Sequence, residues 1–160
     1  MPTLILFVVI VLGGTTLWYR RWLAYHTKKT SAESRVIQTV RGPVEYDLRG
    51  NGPVVLHFHG GNVGHNGWFM LAHLTDAGFQ VLTPDRPGYL GTPLAENGSP
   101  AAQADLMAAL LDELDIKRLA VVGVSAGGPG ALQFALRHPN RTRCLVLLSA
   151  ITKRTPLTDD

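Results

Sequence analysis

The 160-residue sequence predicts an α/β fold, a mostly parallel sheet flanked by helices and preceded by an N-terminal transmembrane helix. Three observations carry that expectation. The chain opens on an aliphatic stretch with no charged side chain before Arg20. Beyond it, short apolar runs alternate with segments of helical period, which implies crossover connections and a sheet covered on both faces. The pentapeptide Gly123-Val124-Ser125-Ala126-Gly127 then stands between one such run and a helix-like segment. With 46% hydrophobic and 17% charged residues the chain suits one packed domain rather than a disordered one.

Leu4 to Val11 is unbroken apolar, aliphatic but for Phe7, and apolar character continues to Trp18-Tyr19. The span of about 17 residues is at the lower limit for crossing a bilayer as a helix. Trp18, Tyr19 and Trp22 beside Arg20-Arg21 read as an interfacial anchor. A cleaved signal peptide is the rival. It calls for a basic region before the apolar run and a small-residue cleavage site after it, and neither is evident. All 12 acidic residues and 11 of the 15 Lys and Arg lie from Thr30 onward, so the net charge of +3 comes from the stretch beside the apolar run. That distribution argues against nucleic acid as a partner and, by the positive-inside bias, slightly favours the cytoplasmic side of the membrane. The expected organisation is an anchor over 1–24, a polar linker over 25–35 and a domain over 36–160.

Within the domain, Val36–Val40 and Val44–Leu48 alternate around Gly42-Pro43 and predict an antiparallel hairpin. Val54–Phe58 predicts a buried strand closed by His59-Gly60-Gly61-Asn62, Trp68–Ala77 a helix, and Phe79–Thr83 the next strand. A Gly- and Pro-rich loop runs from Asp85 to Pro100. Pro100–Leu114 has apolar residues at helical spacing, Leu119–Val122 is a strand, Gly128–Arg137 a helix and Cys144–Ser149 a strand. The single cysteine, Cys144, lies in an apolar run and reads as a buried, inert thiol.

A G-x-S-x-G between strand and helix is the nucleophile elbow of serine hydrolases. Gly123 and Gly127 supply room for a cramped turn that exposes the Ser125 hydroxyl. Ser125 is then the candidate nucleophile toward a carbonyl carbon. The oxyanion formed needs donors already aimed at it. The Ala126 N–H at the start of the following helix is one, and the Gly-rich loop offers the second, with Gly61 foremost and Gly60 and Asn62 framing the pocket.

From about Val36 to Ala150 the chain resembles the α/β-hydrolase superfamily. The resemblance rests on the strand-borne His59-Gly60-Gly61, the Asp85-Arg86-Pro87-Gly88 turn and the Ser125 elbow, in the family's order. It implies that the residue after the His-Gly pair, Gly61 here, donates to the oxyanion, and that His59 and Asp85 are structural. It implies a small-molecule acyl substrate and no cofactor. It also implies a triad acid and base C-terminal to the nucleophile. After Ser149 the sequence offers Asp159 and Asp160 as acids and no His. The chain therefore reads as the N-terminal portion of a longer hydrolase, nearly inert alone, since losing the base of such a triad costs about 10⁶ in turnover. Its last apolar strand would present an exposed sheet edge, open to self-association.

Other readings stay open. The same nucleophile could serve an acyltransferase, or the domain could be a non-catalytic scaffold. Ser125 as a plain helix N-cap leaves Gly at both −2 and +2 unexplained. Gly123-x-Ser125-x-x-Gly128 approaches a dinucleotide-binding loop, but Ser replaces the glycine where backbone meets pyrophosphate. His57, His59 and His65 read as core or loop histidines rather than metal ligands, with His65, Asn66 and Trp68 expected at the pocket mouth and His138 structural at a helix end.

Overall fold

The computed structural model describes residues 2–30 and 34–152. They fall into two compact units, one within residues 1–33 and one from Ser34 onward.

The first unit is a single helix, α1 (Pro2–Thr30), whose described side chains are all exposed. Its stretch from Pro2 to His26 has a mean hydropathy of 1.8 over its most apolar window and is long enough to cross a membrane. At 1.5 Å per residue those 25 residues span about 37 Å against a hydrocarbon core of about 30 Å. The hydroxyls of Thr15 and Thr16 donate to the carbonyls of Val11 and Leu12, at 2.8 and 2.6 Å, so neither polar group is left open on the apolar shaft. Trp22 stacks on Tyr19 and leans on His26. The linker expected from residue 25 begins later, because helix continues to Thr30. Ala24, Lys28 and Lys29 favour helix, and no Gly or Pro interrupts them.

The second unit is a six-stranded sheet of order β1-β2-β4-β3-β5-β6. Strands β1 (Arg35–Thr39) and β2 (Gly42–Gly50) form the expected hairpin, and β2 also runs antiparallel to β4 (Gln80–Pro84). The remaining strands, β3 (Val54–Phe58), β5 (Leu119–Val124) and β6 (Thr142–Leu148), extend the sheet in parallel with β4. Alternation sends Leu56, Phe58, Leu82 and Val121 to one face. There they meet Leu106, Met107, Leu110 and Leu111 of α3 (Pro100–Glu113) and Ala131 and Phe134 of α4 (Gly128–Arg137). Burying one such side chain contributes about 1.5–3 kcal/mol. The opposite face carries Val55, Val81, Val122 and Val124 against Leu71.

Two elements differ from expectation. Instead of one helix over Trp68–Ala77, the chain makes a 3-10 segment (His65–Leu71) and then a short α2 (Ala72–Asp76). The tight first turns carry His65 and Gly67 inward, and a β-carbon at Gly67 would meet Val63 at 2.7 Å. Cys144 is exposed, not buried. β6 pairs with β5 alone, and α4 covers one face of it, where Leu145 and Leu147 join the core. Cys144, Val146 and Leu148 alternate onto the other face, which no described residue covers fully; Val146 and Leu148 are 43% and 44% exposed.

Candidate active site

β5 ends at Val124, and the backbone reverses through Ser125 at φ +49° into a 3-10 turn (Ser125–Gly127) that leads into α4. A left-handed conformation costs an ordinary L-residue about 1–2 kcal/mol, so it must be imposed by its surroundings. The flanking glycines show how. A β-carbon at Gly123 would lie 2.6 Å from that of Ala131, and one at Gly127 would overlap the Phe58 carbonyl oxygen and approach that of His59 to 2.6 Å. Close approach of β5, α4 and the end of β3 thus forces the turn. Ser125 is exposed, and its hydroxyl has no hydrogen-bond partner among the described residues.

The loop closing β3 lies against this elbow. A β-carbon at Gly60 would stand 3.7 Å from that of Ser125, and one at Gly61 would stand 3.9 Å from that of Ala126. The structure therefore brings Ser125, Gly60, Gly61 and Ala126 together, with Asn62 exposed at the loop's far end. The N–H groups of Gly61 and Ala126 have no acceptor among the described residues. Each belongs to a peptide whose carbonyl is held from behind. The Ser125 carbonyl accepts from Ile151 N at 3.0 Å and also from Gly128 N. The Gly60 carbonyl accepts from His59 Nδ1 at 2.8 Å. In a planar trans peptide the N–H points opposite to the C=O, so these bonds set the direction of both donors.

His59 is fully buried and neutral, its pKa lowered to about 3 chiefly by burial. Nε2 accepts from the Arg86 N–H at 3.0 Å, which leaves the proton on Nδ1 for the Gly60 carbonyl. With both nitrogens engaged it is a support of the loop. His57 is equally buried, lies 3.4 Å from Thr83 Oγ1 through Nδ1, and is lowered to about 4 by burial; its Nε2 has no partner. His65 is not at a pocket mouth. The 3-10 segment turns it inward, where Nδ1 meets Asp85 Oδ2 at 2.9 Å and its own N–H donates to Asp85 Oδ1. Burial raises the Asp85 pKa against the opposing pull of His65. Asn66 is exposed and accepts from Gly64 N, while Trp68 lies under the Arg49 guanidinium. His138 at the end of α4 meets Asp105 of α3 at 3.1 Å, beside a two-pronged Arg137–Asp105 pair.

Sequence reasoning missed two groups. Glu45 of β2 joins His65 and Asp85, and the ligand atoms of these three buried residues lie within 4.8 Å of one another. They are engaged with protein: Glu45 accepts from the Ser34 hydroxyl and from Gly91 N. The second group is Arg86 and Tyr89, whose side chains reach the glycine loop. The D-R-P-G turn was the available signal, but only its Asp drew attention.

Residues 53–160 match the model of a family described as alpha/beta hydrolase fold. An "Alpha/beta hydrolase fold protein from Nakamurella multipartita" is similar at a TM-score of 0.74 and 41% identity, over 76% of this chain and 43% of its own. A Bacillus subtilis (strain 168) protein named "Uncharacterized hydrolase YcgS" is 38% identical over 112 residues, 70% of this chain and 39% of its own. The 2-hydroxy-6-oxo-6-phenylhexa-2,4-dienoate hydrolase of Comamonas testosteroni is 32% identical over 111 residues, 66% of this chain and 39% of its own. The chain thus spans about two fifths of the length of these curated relatives.

Proposed function

Because the chain belongs to the α/β-hydrolase fold family, we propose that it carries the nucleophile of a serine hydrolase acting on an ester, thioester or amide. The observation that supports this most is the exposed Ser125 hydroxyl on a strained turn, beside two backbone N–H groups that no other described residue uses.

In the proposed reaction Ser125 Oγ bonds to the carbonyl carbon as its proton passes to a general base. The carbonyl π electrons move to oxygen, which sits against the N–H groups of Gly61 and Ala126. One such donor contributes about 3 kcal/mol in the transition state. Collapse breaks the bond to the alkoxide, thiolate or amine, which leaves with a proton, and water then hydrolyses the acyl-Ser125 ester. His59 does not supply that base, since both of its nitrogens are occupied. Asp159 and Asp160, the candidate acids, lie outside the described residues.

The Comamonas testosteroni relative gives a second substrate class, because the keto carbon of a 6-oxo acid is an electrophile for the same hydroxyl and donors. An alcohol acceptor raising ester product over acid would favour the acyltransferase reading. α1 is proposed as a single-pass anchor, with four cations at its C-terminal end favouring the cytoplasmic side for the domain. Retention in the pellet at alkaline pH supports an anchor, and a mature N-terminus beyond residue 24 would indicate a cleaved signal instead.

A fluorophosphonate probe tests the nucleophile. Labelling that disappears in Ser125→Ala is expected, slow in this chain and fast in a protein that also carries the base. Labelling that persists in Ser125→Ala overturns the assignment of Ser125, and a protein that carries a triad base and still goes unlabelled favours a scaffold.

A further inference from the structure

We propose that Arg86, together with Tyr89, is a positioning residue that fixes the direction of the Gly61 N–H. Its effect on rate rests on the reading of Ser125 as nucleophile, whereas its effect on the Gly60–Gly61 peptide does not.

Two adjacent glycines leave that peptide with little conformational preference of its own. Rotated by half a turn, it would aim the Gly60 carbonyl toward the elbow and withdraw the Gly61 donor. His59 Nδ1 holds its carbonyl from within the loop, and a second tether comes from outside. Arg86 Nη2 donates to the Gly60 carbonyl at 3.3 Å, adding to the bond from His59 Nδ1. Nη1 of the same guanidinium donates to the Ala126 carbonyl at 3.3 Å. One rigid planar group therefore spans the glycine loop and the peptide that follows the Ala126 donor. Tyr89 continues the clamp. Its hydroxyl accepts from Arg86 Nη2 at 3.0 Å and donates to the Gly61 carbonyl at 2.8 Å, so the next peptide is held as well. The guanidinium also lies 4.8 Å from the Tyr89 ring centre.

The arrangement is costly. Arg86 Nε is buried without a partner, and burial lowers the affinity of the guanidinium for its proton. A buried donor left open in a native structure calls for an explanation. Fork geometry supplies one. Lysine, a compact ammonium without the planar fork, does not reproduce this paired geometry.

The experiment compares the full chain in detergent micelles with Arg86→Met, Arg86→Lys and Tyr89→Phe. The N–H residual dipolar couplings of Gly61, Gly123 and Gly130 are measured, and ester hydrolysis is followed in parallel. The Gly61 coupling should collapse or its signal double in Arg86→Met, with Gly123 and Gly130 unchanged. Arg86→Lys should not restore it, and Tyr89→Phe should shift it partway. The slow hydrolysis that depends on Ser125 in this chain should lose about tenfold or more in kcat with KM nearly constant, a fraction of the loss on deleting a donor outright. A Gly61 coupling unchanged in both Arg86→Met and Tyr89→Phe overturns the proposal. If Arg86→Met fails to fold, Tyr89→Phe, which lacks one hydroxyl, decides by the same signal. Hydrolysis that survives Ser125→Ala sinks the functional reading alone, and the Gly61 coupling still decides this one.

Discussion

Acidifying the protein from about pH 7.5 to about pH 5 should destabilise it through two histidines buried as neutral rings. His57 and His59 are 0% exposed, and burial lowers their pKa values from 6.5 to about 4 and about 3. The sign follows from proton counts. Below 6.5 the unfolded chain takes up a proton at each ring, and the folded protein does not until pH nears 4 or 3. Stability is thus fully present above 6.5 and falls as pH descends through that window. At pH 5 the deficit is about 1.5 pH units per ring, worth about 2 kcal/mol each and about 4 kcal/mol together. Asp85 works the other way, since burial makes its folded carboxyl hold a proton more readily than the usual 3.8. Asp105, lowered mainly by Arg137, loses its contribution only below its ordinary range. The Asp105 contribution therefore lies at lower pH, and that of Asp85 opposes the fall caused by the histidines. With a urea slope of 1–3 kcal/mol/M, the midpoint should fall by about 2 M. Trp68 fluorescence in a chain with Trp18→Phe and Trp22→Phe would follow the transition. A midpoint that does not move, or His57 and His59 ring resonances that both titrate near 6.5, would refute the reasoning.

Three further outcomes are expected. Gly127→Ala should cost about 3 kcal/mol or more in the same melt, because its β-carbon meets backbone of Phe58 and His59 that cannot yield. Ser125→Gly should raise stability by about 0.5–1 kcal/mol by relieving the positive φ, while abolishing probe labelling. Ser99→Ala should lower stability by about 1 kcal/mol and fray the start of α3, since the Ser99 hydroxyl caps Ala102 N.

Local pattern was enough for most of the sheet. Five consecutive buried-type residues, Val54 to Phe58, mark β3 with its observed limits, and the Gly42-Pro43 break marks the hairpin. Ser99-Pro100 marks the start of α3 for the same reason, a cap and a rigid first residue. The elbow was legible because its two glycines answer a steric demand within five residues. Relations between distant segments were not. His65 and Asp85 meet across 20 residues, and Glu45 joins from a third strand, so no spacing rule announces them. Arg86 sits in a Gly- and Pro-rich loop, and only the fold carries it to carbonyls 26 and 40 residues away. Cys144 was misjudged because an all-apolar strand suggests cover on both faces, whereas α4 shelters only one.

The hydrogen bond from Ile151 to the Ser125 carbonyl ties the chain leaving the last strand to the Ser125 turn. Ala150 lies so near Gly128 that a β-carbon there would stand 2.6 Å from its own. The Ser125–Ala126 peptide is therefore anchored from the segment just past β6, so a displacement of residues 150–151 would bear first on the Ala126 amide.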